Sequence, residues 1–284
     1  MKILTREWFE VSRKDTFRIV PLGDVHIGAR ACDEKLFRAV VDSIAQDKNC
    51  YWLGMGDYCD FVTGKDPRFS VKALAKWVSI DDLLDLAAAQ AERFISIVKP
   101  IASQCLGLVE GNHETAILRH YERDVYREIV TALKGAGGFA ADYKLALGYS
   151  GWLILKFYRS KKRRAATVLK IKLHHGHVGG RLAGAKALNM QRHLWNNNAD
   201  LIIFGHSHNT MVQVEAVESV DRRGNLKYQH RTGAFAGTFL KTTTEGSTTY
   251  SEVKGYFPIP LSGIEVRLRP GAQDETARVQ VVTR

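Results

Sequence analysis

The sequence predicts an α/β fold, on the basis of two observations. Short apolar runs of β type alternate along the chain with stretches whose apolar residues recur at helical spacing. Several of these runs end in glycine or asparagine beside aspartate or histidine. Because ligand sites of open α/β sheets lie outside the carboxyl ends of the strands, the same pattern predicts where a site would form.

The predicted strands are short. Each is an apolar run that stops at a glycine, a polar residue or a turn. Strands are predicted at residues 17–22, 51–53, 101–109, 152–158, 167–173 and 201–204, and the chain from 211 onward is mostly strand, with turns at 223–225 and 270–271.

Helices are predicted between these strands. In the second helix, Asp81 and Asp82 suit the positive N-terminal end, and Pro100 stops the helix. Gly135 is a suitable cap for the third helix. The four predicted helices cover residues 33–46, 80–99, 114–134 and 182–196.

The composition is that of a folded protein with a basic balance. The 284 residues include 41 Lys and Arg against 30 Asp and Glu, a net charge of +11, and 45% are hydrophobic. This excludes disorder as the main state and allows one large or two modest domains, of which we expect a single one over residues 1–284. No run approaches the ~20 apolar residues of a membrane span. The four cysteines form no CxxC pair, and we expect a reducing cytoplasm.

The positive charge is concentrated in one segment. Residues 143–199 contain no Asp or Glu, and the rest of the chain is close to neutral. The segment includes a predicted hairpin insertion around residues 150–175 with a basic tip. A basic patch of this kind indicates either an anionic partner, such as nucleic acid, phosphate esters or a membrane surface, or a solvated charged hairpin. The basic residues are Lys144, Lys156, Arg159, Lys161, Lys162, Arg163, Arg164, Lys170, Lys172, Arg181, Lys186 and Arg192.

The polar residues at the strand ends are candidate metal ligands. Carboxylates, an amide oxygen and imidazoles together suit Mn²⁺, Fe or Zn²⁺ better than metals that prefer thiolates. Each short motif alone is more often structural, but five of them at strand ends are hard to explain as turn chemistry. The candidates are Asp24, His26, Asp57, Asn112, His175, His206 and His208.

The order of the motifs is Asp-x-His, Gly-Asp, Gly-Asn-His-Glu, His-Gly and Gly-His-x-His. This order resembles the calcineurin-like metallophosphoesterase superfamily, from about residue 18 to about residue 209. The resemblance implies a four-layer αββα sandwich, with two mixed β-sheets flanked by helices. It also implies a binuclear metal site at the carboxyl ends of the strands.

The resemblance implies a role for each residue. Two divalent metal ions are expected, Mn²⁺ first, with Fe, Zn or Ni as alternatives. One ion would be held by Asp24, His26, Asp57 and His208, and the second by the bridging Asp57 with Asn112, His175 and His206. The ions would activate a bridging hydroxide that attacks phosphorus.

The same resemblance gives His113 the role of general acid for the leaving group. Asp60 would pair with His113 and fix its tautomer, the alternative being that Asp60 caps a loop. Phe61 stands where the Ser/Thr protein phosphatases carry a phosphate-binding Arg, and Asp60 stands where purple acid phosphatases carry a Tyr ligand. The sequence is therefore closer to the bacterial and viral phosphodiesterase and nuclease branches.

These observations predict a metal-dependent phosphoesterase that hydrolyses phosphodiesters of nucleic acid or nucleotides. The alternatives are a phosphomonoesterase for small substrates and a non-catalytic, metal-stabilised binding protein. No membrane partner is expected.

Overall fold

The computed structural model describes residues 1–161, 164–176, 182–245, 249–273 and 278–284. These residues form a mixed α/β fold with one large mixed sheet and surrounding helices. The strands are β1 (Lys2–Trp8), β2 (Phe17–Leu22), β3 (Cys50–Gly54), β4 (Cys105–Val109), β5 (Ala146–Gly148), β6 (Ser150–Phe157), β7 (Thr167–His174), β8 (Leu201–Phe204), β9 (Thr210–Val220), β10 (Leu226–Thr238), β11 (Ser262–Leu268) and β12 (Val279–Thr283). The helices are α1 (Glu34–Ala45), α2 (Leu86–Val98), α3 (Asn112–Tyr121), α4 (Val125–Ala136), α5 (Ala183–Asn196) and the short α6 (Tyr250–Val253).

The sheet follows the order β1-β6-β7-β8-β10-β11-β2-β3-β4-β5, with β9 on β10 and β12 on β11. Strands β2 to β5 are parallel, and so are β7, β8 and β10. The two halves meet where β10 pairs with β11 over only Gly237↔Gly263 and Thr238↔Ser262. Each half therefore presents a set of parallel strand ends.

Three apolar clusters form the core of the described part of the chain. One lies between α1, α2 and α4 and the face of β2 to β4, and a smaller one lies between α5 and β8 and β10. The third combines residues from both halves of the sheet, such as Ile19 and Leu53 with Leu173 and Ile203. Packing shared by the two halves brings their strand ends to one region.

The second and third predicted helices differ from the structure. Residues 81–85 form a 3₁₀ segment, and α2 begins after Asp85, whose carboxylate accepts the backbone N–H of Ala88 at 3.0 Å. The predicted helix over 114–134 is two helices. Glu122 has a left-handed φ of 57° and ends α3, and Asp124 caps α4 by accepting from the N–H of Arg127. Helix α4 ends at Ala136, so Gly135 lies within the helix and does not cap it.

Three strands differ as well, and one of them is the three-residue β5, which was not predicted. The predicted strand over 101–109 starts only at Cys105, because residues 99–104 form a 3₁₀ segment that follows α2. Strand β1 was not predicted, because its charged residues interrupt the apolar pattern. It pairs in parallel with β6 along its whole length.

The basic hairpin is part of the sheet. Its strands β6 and β7 lie between β1 and β8, so they are inner strands of the sheet. Ser150 pairs with His174, and Phe157 pairs with Thr167. The tip is therefore about 25 Å from the end that carries His174, at about 3.3 Å per residue. Lys162 and Arg163 of the tip lie outside the described residues.

Among the described residues, no helix is long and apolar enough to cross a membrane. The four cysteines are all free thiols.

Candidate metal centre

Five loops meet at the carboxyl ends of the strands. Strands β2, β3 and β4 lead to the first three predicted motifs, and β7 and β8 lead to the last two. All nine residues that the sequence predicts as ligands or catalytic groups lie in this one region. They are Asp24, His26, Asp57, Asp60, Asn112, His113, His175, His206 and His208.

The first group of possible ligands is Asp24, His26 and His208, whose donor atoms lie within 4.8 Å of one another. His208 Nε2 is 3.4 Å from Asp24 Oδ1 and 3.3 Å from His26 Nε2. Asp24 is buried, and its carboxylate accepts the backbone N–H of His206 at 2.8 Å. That hydrogen bond fixes the carboxylate relative to the loop that carries His206 and His208.

The second group is Asp57, His175 and His206. His175 Nδ1 donates to the carbonyl of Met55 at 2.7 Å, which leaves Nε2 as the atom that faces the group. Nε2 lies 2.9 Å from Asn112 Oδ1 and 3.3 Å from Asp57 Oδ2. Burial lowers the pKa of His175, but the charge of Asp57 raises it to about 10. The group therefore favours a positive charge between these atoms.

Asp57, a member of the second group, lies on the side that faces the first group. Its Oδ2 is 3.3 Å from His175 Nε2 and 3.9 Å from His26 Nε2. Its Oδ1 accepts the backbone N–H of His113 at 3.0 Å, which holds the carboxylate in place. One carboxylate in this position has the geometry to serve both groups.

The donor atoms fit divalent metal ions. Nε2 of His175, the amide oxygen of Asn112 and a carboxylate oxygen of Asp57 all present lone pairs to one another. Such convergence is stable only with a cation or a proton between the atoms. His26 is buried, and its Nε2 faces Nε2 of His208 at 3.3 Å, so these two nitrogens also converge. A mixed set of imidazole, carboxylate and amide ligands suits Mn²⁺, Fe or Zn²⁺.

His113 lies beside the first group at the start of α3. Its Nδ1 donates to the main-chain carbonyl of Asp60, whereas the Asp60 carboxylate lies 3.4 Å from His26 Nδ1. The contact between the two residues is thus made by the backbone of Asp60 and not by its side chain. Burial lowers the pKa of His113, but the charges of Asp57 and Asp60 outweigh this and raise it.

The ligand loops have an unusual backbone. In the part of the chain that the structure describes, eight residues other than glycine have a positive φ, and six of them lie in these loops. Left-handed conformations cost energy for residues with a Cβ and concentrate at functional sites. The six are Asp24, His26, Asp57, Phe61, His206 and His208.

Glu114 supports these loops, a role that was not predicted from the sequence. Its buried carboxylate accepts the backbone N–H groups of Asp57 and Tyr58 at 2.9 Å and of Gly111 at 2.8 Å. Burial, and then the charge of Asp57, raise the pKa of Glu114 to about 7. A glutamate three residues after the glycine that precedes a helix is the sequence signal for such a contact.

A cavity of about 1020 Å³ opens over both groups. Asp57 and Asp60 are the only carboxylates among its described lining residues, and both lie beside the imidazoles. Its cations are Arg30, Arg68, Lys186 and Lys241. The cavity outside the ligand groups is therefore suited to an anionic ligand.

The profile of the family described as calcineurin-like phosphoesterase matches residues 17–210. The chain belongs to this family. The match includes every loop of the centre, from Asp24 to His208. A phosphoester hydrolase with divalent metal ions is the activity that this family suggests. No curated protein matches the chain by sequence.

Several solved structures are similar to this chain at low scores. A conserved, predicted phosphoesterase from Streptococcus pneumoniae is 11% identical, with a TM-score of 0.35 and coverage of 95% of this chain and 99% of that chain. Vps29 from Chaetomium thermophilum is 15% identical, with a TM-score of 0.36 and coverage of 94% of each chain. The NAD nucleotidase of Haemophilus influenzae is 11% identical, with a TM-score of 0.38 and coverage of 94% of this chain and 49% of that chain.

Proposed function

We propose that this protein is a two-metal phosphodiesterase that acts on nucleic acid or nucleotides, with Mn²⁺ as its metal. The observation that carries the proposal is the position of Asp57 between two groups of nitrogen and oxygen ligands, with His113 in the same cavity. Asp24, His26, Asp57 and His208 would hold one ion, and Asp57, Asn112, His175 and His206 the other.

Two bound divalent ions supply a water of lowered pKa and neutralise charge on the phosphoryl oxygens. The residues of the chain hold the reacting groups in place. His175 presents Nε2 because Met55 accepts from Nδ1, and Asp24 is held by the N–H of His206. The carbonyl of Asp60 accepts from Nδ1 of His113, so Nε2 of His113 is the atom that would give its proton to the leaving oxygen.

The cavity favours a diester over a small monoester. Its volume is at the upper end of the range for small-molecule sites, which leaves room for a substituent on each side of a phosphate. Of its four cations, Arg68 pairs with Asp66 and Lys241 pairs with Asp33. Arg30 and Lys186 have no ion pair among the described residues, so these two are available to a phosphate.

We also propose the four-layer αββα arrangement for the fold, and a single domain over residues 1–284. The core cluster that contains residues from both halves of the sheet, from Leu4 to Leu268, supports both proposals. The helices pack on the two remaining faces. The four free thiols support the proposal of a reducing cytoplasm.

The test compares leaving groups. The Mn²⁺-loaded protein is assayed on methyl p-nitrophenyl phosphate, on p-nitrophenyl phosphate, and on single- and double-stranded DNA. His113→Ala is expected to lower kcat on DNA by about 10²–10⁴-fold, because an alkoxide leaving group needs a proton. The loss on the p-nitrophenyl diester should be smaller, because that leaving group needs little protonation. His120→Ala, an exposed histidine of the same helix, is the matched control.

Each other outcome contradicts part of the proposal. Hydrolysis of the monoester alone would make the protein a phosphomonoesterase. Bound Mn²⁺ without hydrolysis of any ester would make it a metal-stabilised binding protein. An equal loss on both diesters in His113→Ala would remove the general-acid role.

A further inference from the structure

The cavity over the metal centre has two kinds of wall beyond the ligand groups. One kind is cationic, and the other is apolar and aromatic. The apolar lining comes from two segments far apart in sequence and consists of Val62, Pro67, Phe69, Ala73, Leu74, Leu240, Val253, Tyr256, Phe257 and Ile259. A phosphate alone would contact only the cationic wall. The apolar and aromatic wall therefore indicates that the ligand also carries an apolar or aromatic group.

Two of the cations lack an acidic partner among the described residues. Lys186 is only 8% exposed, and its Nζ lies 3.4 Å from the carbonyl of Ser207, between two predicted ligands. Arg30 follows the loop of His26, and its Nη2 contacts the carbonyl of Glu245. These positions place positive charge beside two different loops of the centre, where the phosphates on either side of a scissile bond would bind.

The aromatic wall is accessible. The side chain of Phe257 is 67% exposed. Phe69, which belongs to the other lining segment, is partly exposed. Ligand pockets are lined mainly by hydrophobic and aromatic side chains, which the ligand covers when it binds. Base stacking on aromatic side chains combined with phosphate contacts to Lys and Arg is typical of sites for single-stranded nucleic acid.

We propose that this cavity binds single-stranded polynucleotide, with phosphates on Arg30 and Lys186 and unpaired bases on Phe69 and Phe257. The inference rests on the proposed phosphodiesterase function and names its substrate class. A duplex does not fit the same walls, because stacking on a side chain requires a base face that base pairs of a duplex cover. A single small nucleotide would leave much of the 1020 Å³ unfilled.

Binding is measured with the Mn²⁺-loaded protein by fluorescence anisotropy. The probes are a twelve-nucleotide oligothymidylate with phosphorothioate linkages, which resist cleavage, and a duplex of the same length and linkage. The single strand is expected to bind about tenfold more tightly or better. Phe257→Leu and Phe69→Leu should each weaken single-strand binding about tenfold, because leucine keeps the apolar contact but has no ring to stack.

Matched variants separate stacking from damage to the fold. Phe257→Tyr keeps the ring and should bind like the wild type. Tyr228→Ala removes an exposed aromatic ring of β10 that does not line the cavity, and should change nothing. Arg30→Gln and Lys186→Met should each reduce the slope of log affinity against log salt by about 0.7, the value for one phosphate contact to a single strand.

Two results would overturn the inference: equal affinity for duplex and single strand, or unchanged affinity in both leucine variants. Methyl p-nitrophenyl phosphate distinguishes this failure from failure of the proposed function. If that small diester is hydrolysed while the single strand does not bind preferentially, the phosphodiesterase stands and the substrate class is wrong. If no ester is hydrolysed, the proposed phosphodiesterase function is wrong. The anisotropy measurement then still tests whether the cavity binds single-stranded polynucleotide.

Discussion

At the scale of single residues, the centre depends on backbone positions where no side chain fits. Gly56 precedes Asp57 and has a φ of 88°. A Cβ at this position would lie 2.6 Å from His175 Nδ1 and 2.7 Å from the backbone of Gly111. This one glycine therefore allows three of the loops to approach one another.

We expect Gly56→Ala to reduce Mn²⁺ affinity at least tenfold and to lower the free energy of unfolding by about 1–3 kcal/mol. Calorimetric titration with Mn²⁺ and thermal unfolding measure the two effects. Gly64→Ala is the control, because a Cβ there has no neighbour within 4 Å and no positive φ is involved. Equal behaviour of the two variants would mean that the loops have room to rearrange.

Glu114 makes a second prediction at the residue scale. A glutamine in its place has one oxygen for three N–H donors, and its amide group would face a donor. Glu114→Gln should therefore weaken Mn²⁺ binding about 10–100-fold, the usual effect of losing a residue that orients ligands. Glu128→Gln, on the exposed side of α4, is the control. Unchanged Mn²⁺ affinity in Glu114→Gln would show that Asp57 is held well enough by other contacts.

At the scale of elements, β11 is joined to its surroundings by a buried carboxylate. Glu265 is 1% exposed and pairs with Arg18 at 2.8 Å, with Arg267 at 2.8 Å and with Arg284. Burial opposes its charge, but the hydrogen bonds from Arg267 and Arg18 and the charge of Arg284 hold the pKa of Glu265 below 4.5. This network connects β2, β11 and the C-terminal end of the chain.

The stability that Glu265 contributes should depend on pH. Because its pKa is lowered in the folded state, the contribution is complete above pH 4.5 and is lost as the pH falls through the lower folded value. Glu265→Gln should lower the free energy of unfolding by roughly 2–3 kcal/mol at pH 7. The loss is smaller than for breaking a fully buried ion pair, because the arginines are partly exposed. Urea unfolding of the variant and wild type at pH 7 and pH 3.5 checks this, with the exposed Glu218→Gln as control. A difference that is the same at both pH values would contradict the ionic explanation.

The elements also show how far the sequence predicts the fold. The strand ends were predicted because glycine and polar residues after an apolar run have no other common explanation. The break between α3 and α4 was missed, because the apolar spacing continues across Glu122 and only the cap at Asp124 marks the new helix. Strand β1 was missed because a paired edge segment with charged residues has no distinct pattern. The spacing of apolar residues does not report where a helix is capped or which distant strand a segment pairs with, so these two features could not be predicted from it.

The centre was predictable for a different reason. Its ligands are unusual residue types at repeated positions, so type and spacing identify them without a three-dimensional structure. The orientation of Asp60 was not predictable, because it depends on the left-handed turns at Asp57 and Phe61, which direct its carbonyl to His113 and its carboxylate to His26. Orientation is fixed by the backbone of the assembled loops.

At the scale of the whole molecule, the basic segment separates into two regions. Lys186 lies in the cavity, whereas the hairpin tip lies at the opposite end of β6 and β7 from His175. Along β6 and β7 the tip is about 25 Å from the strand end next to the centre, which is more than a Debye length at physiological salt. Charge at the tip therefore has little influence on a small ligand at the centre, and only a ligand long enough to reach both regions can use it.

This separation predicts a dependence on substrate length. Neutralising Lys161, Lys162, Arg163 and Arg164 together to Gln should weaken binding of a long single strand, because each lost phosphate contact lowers affinity at low salt. Hydrolysis of methyl p-nitrophenyl phosphate and binding of a four-nucleotide strand should stay as in the wild type, because neither reaches the tip. Anisotropy with strands of four and forty nucleotides measures the contrast. Neutralising Arg222 and Arg223 in the β9–β10 turn, together with Lys227 at the start of β10, is the control. An equal loss for short and long strands would mean that the tip supports the fold and does not bind the substrate.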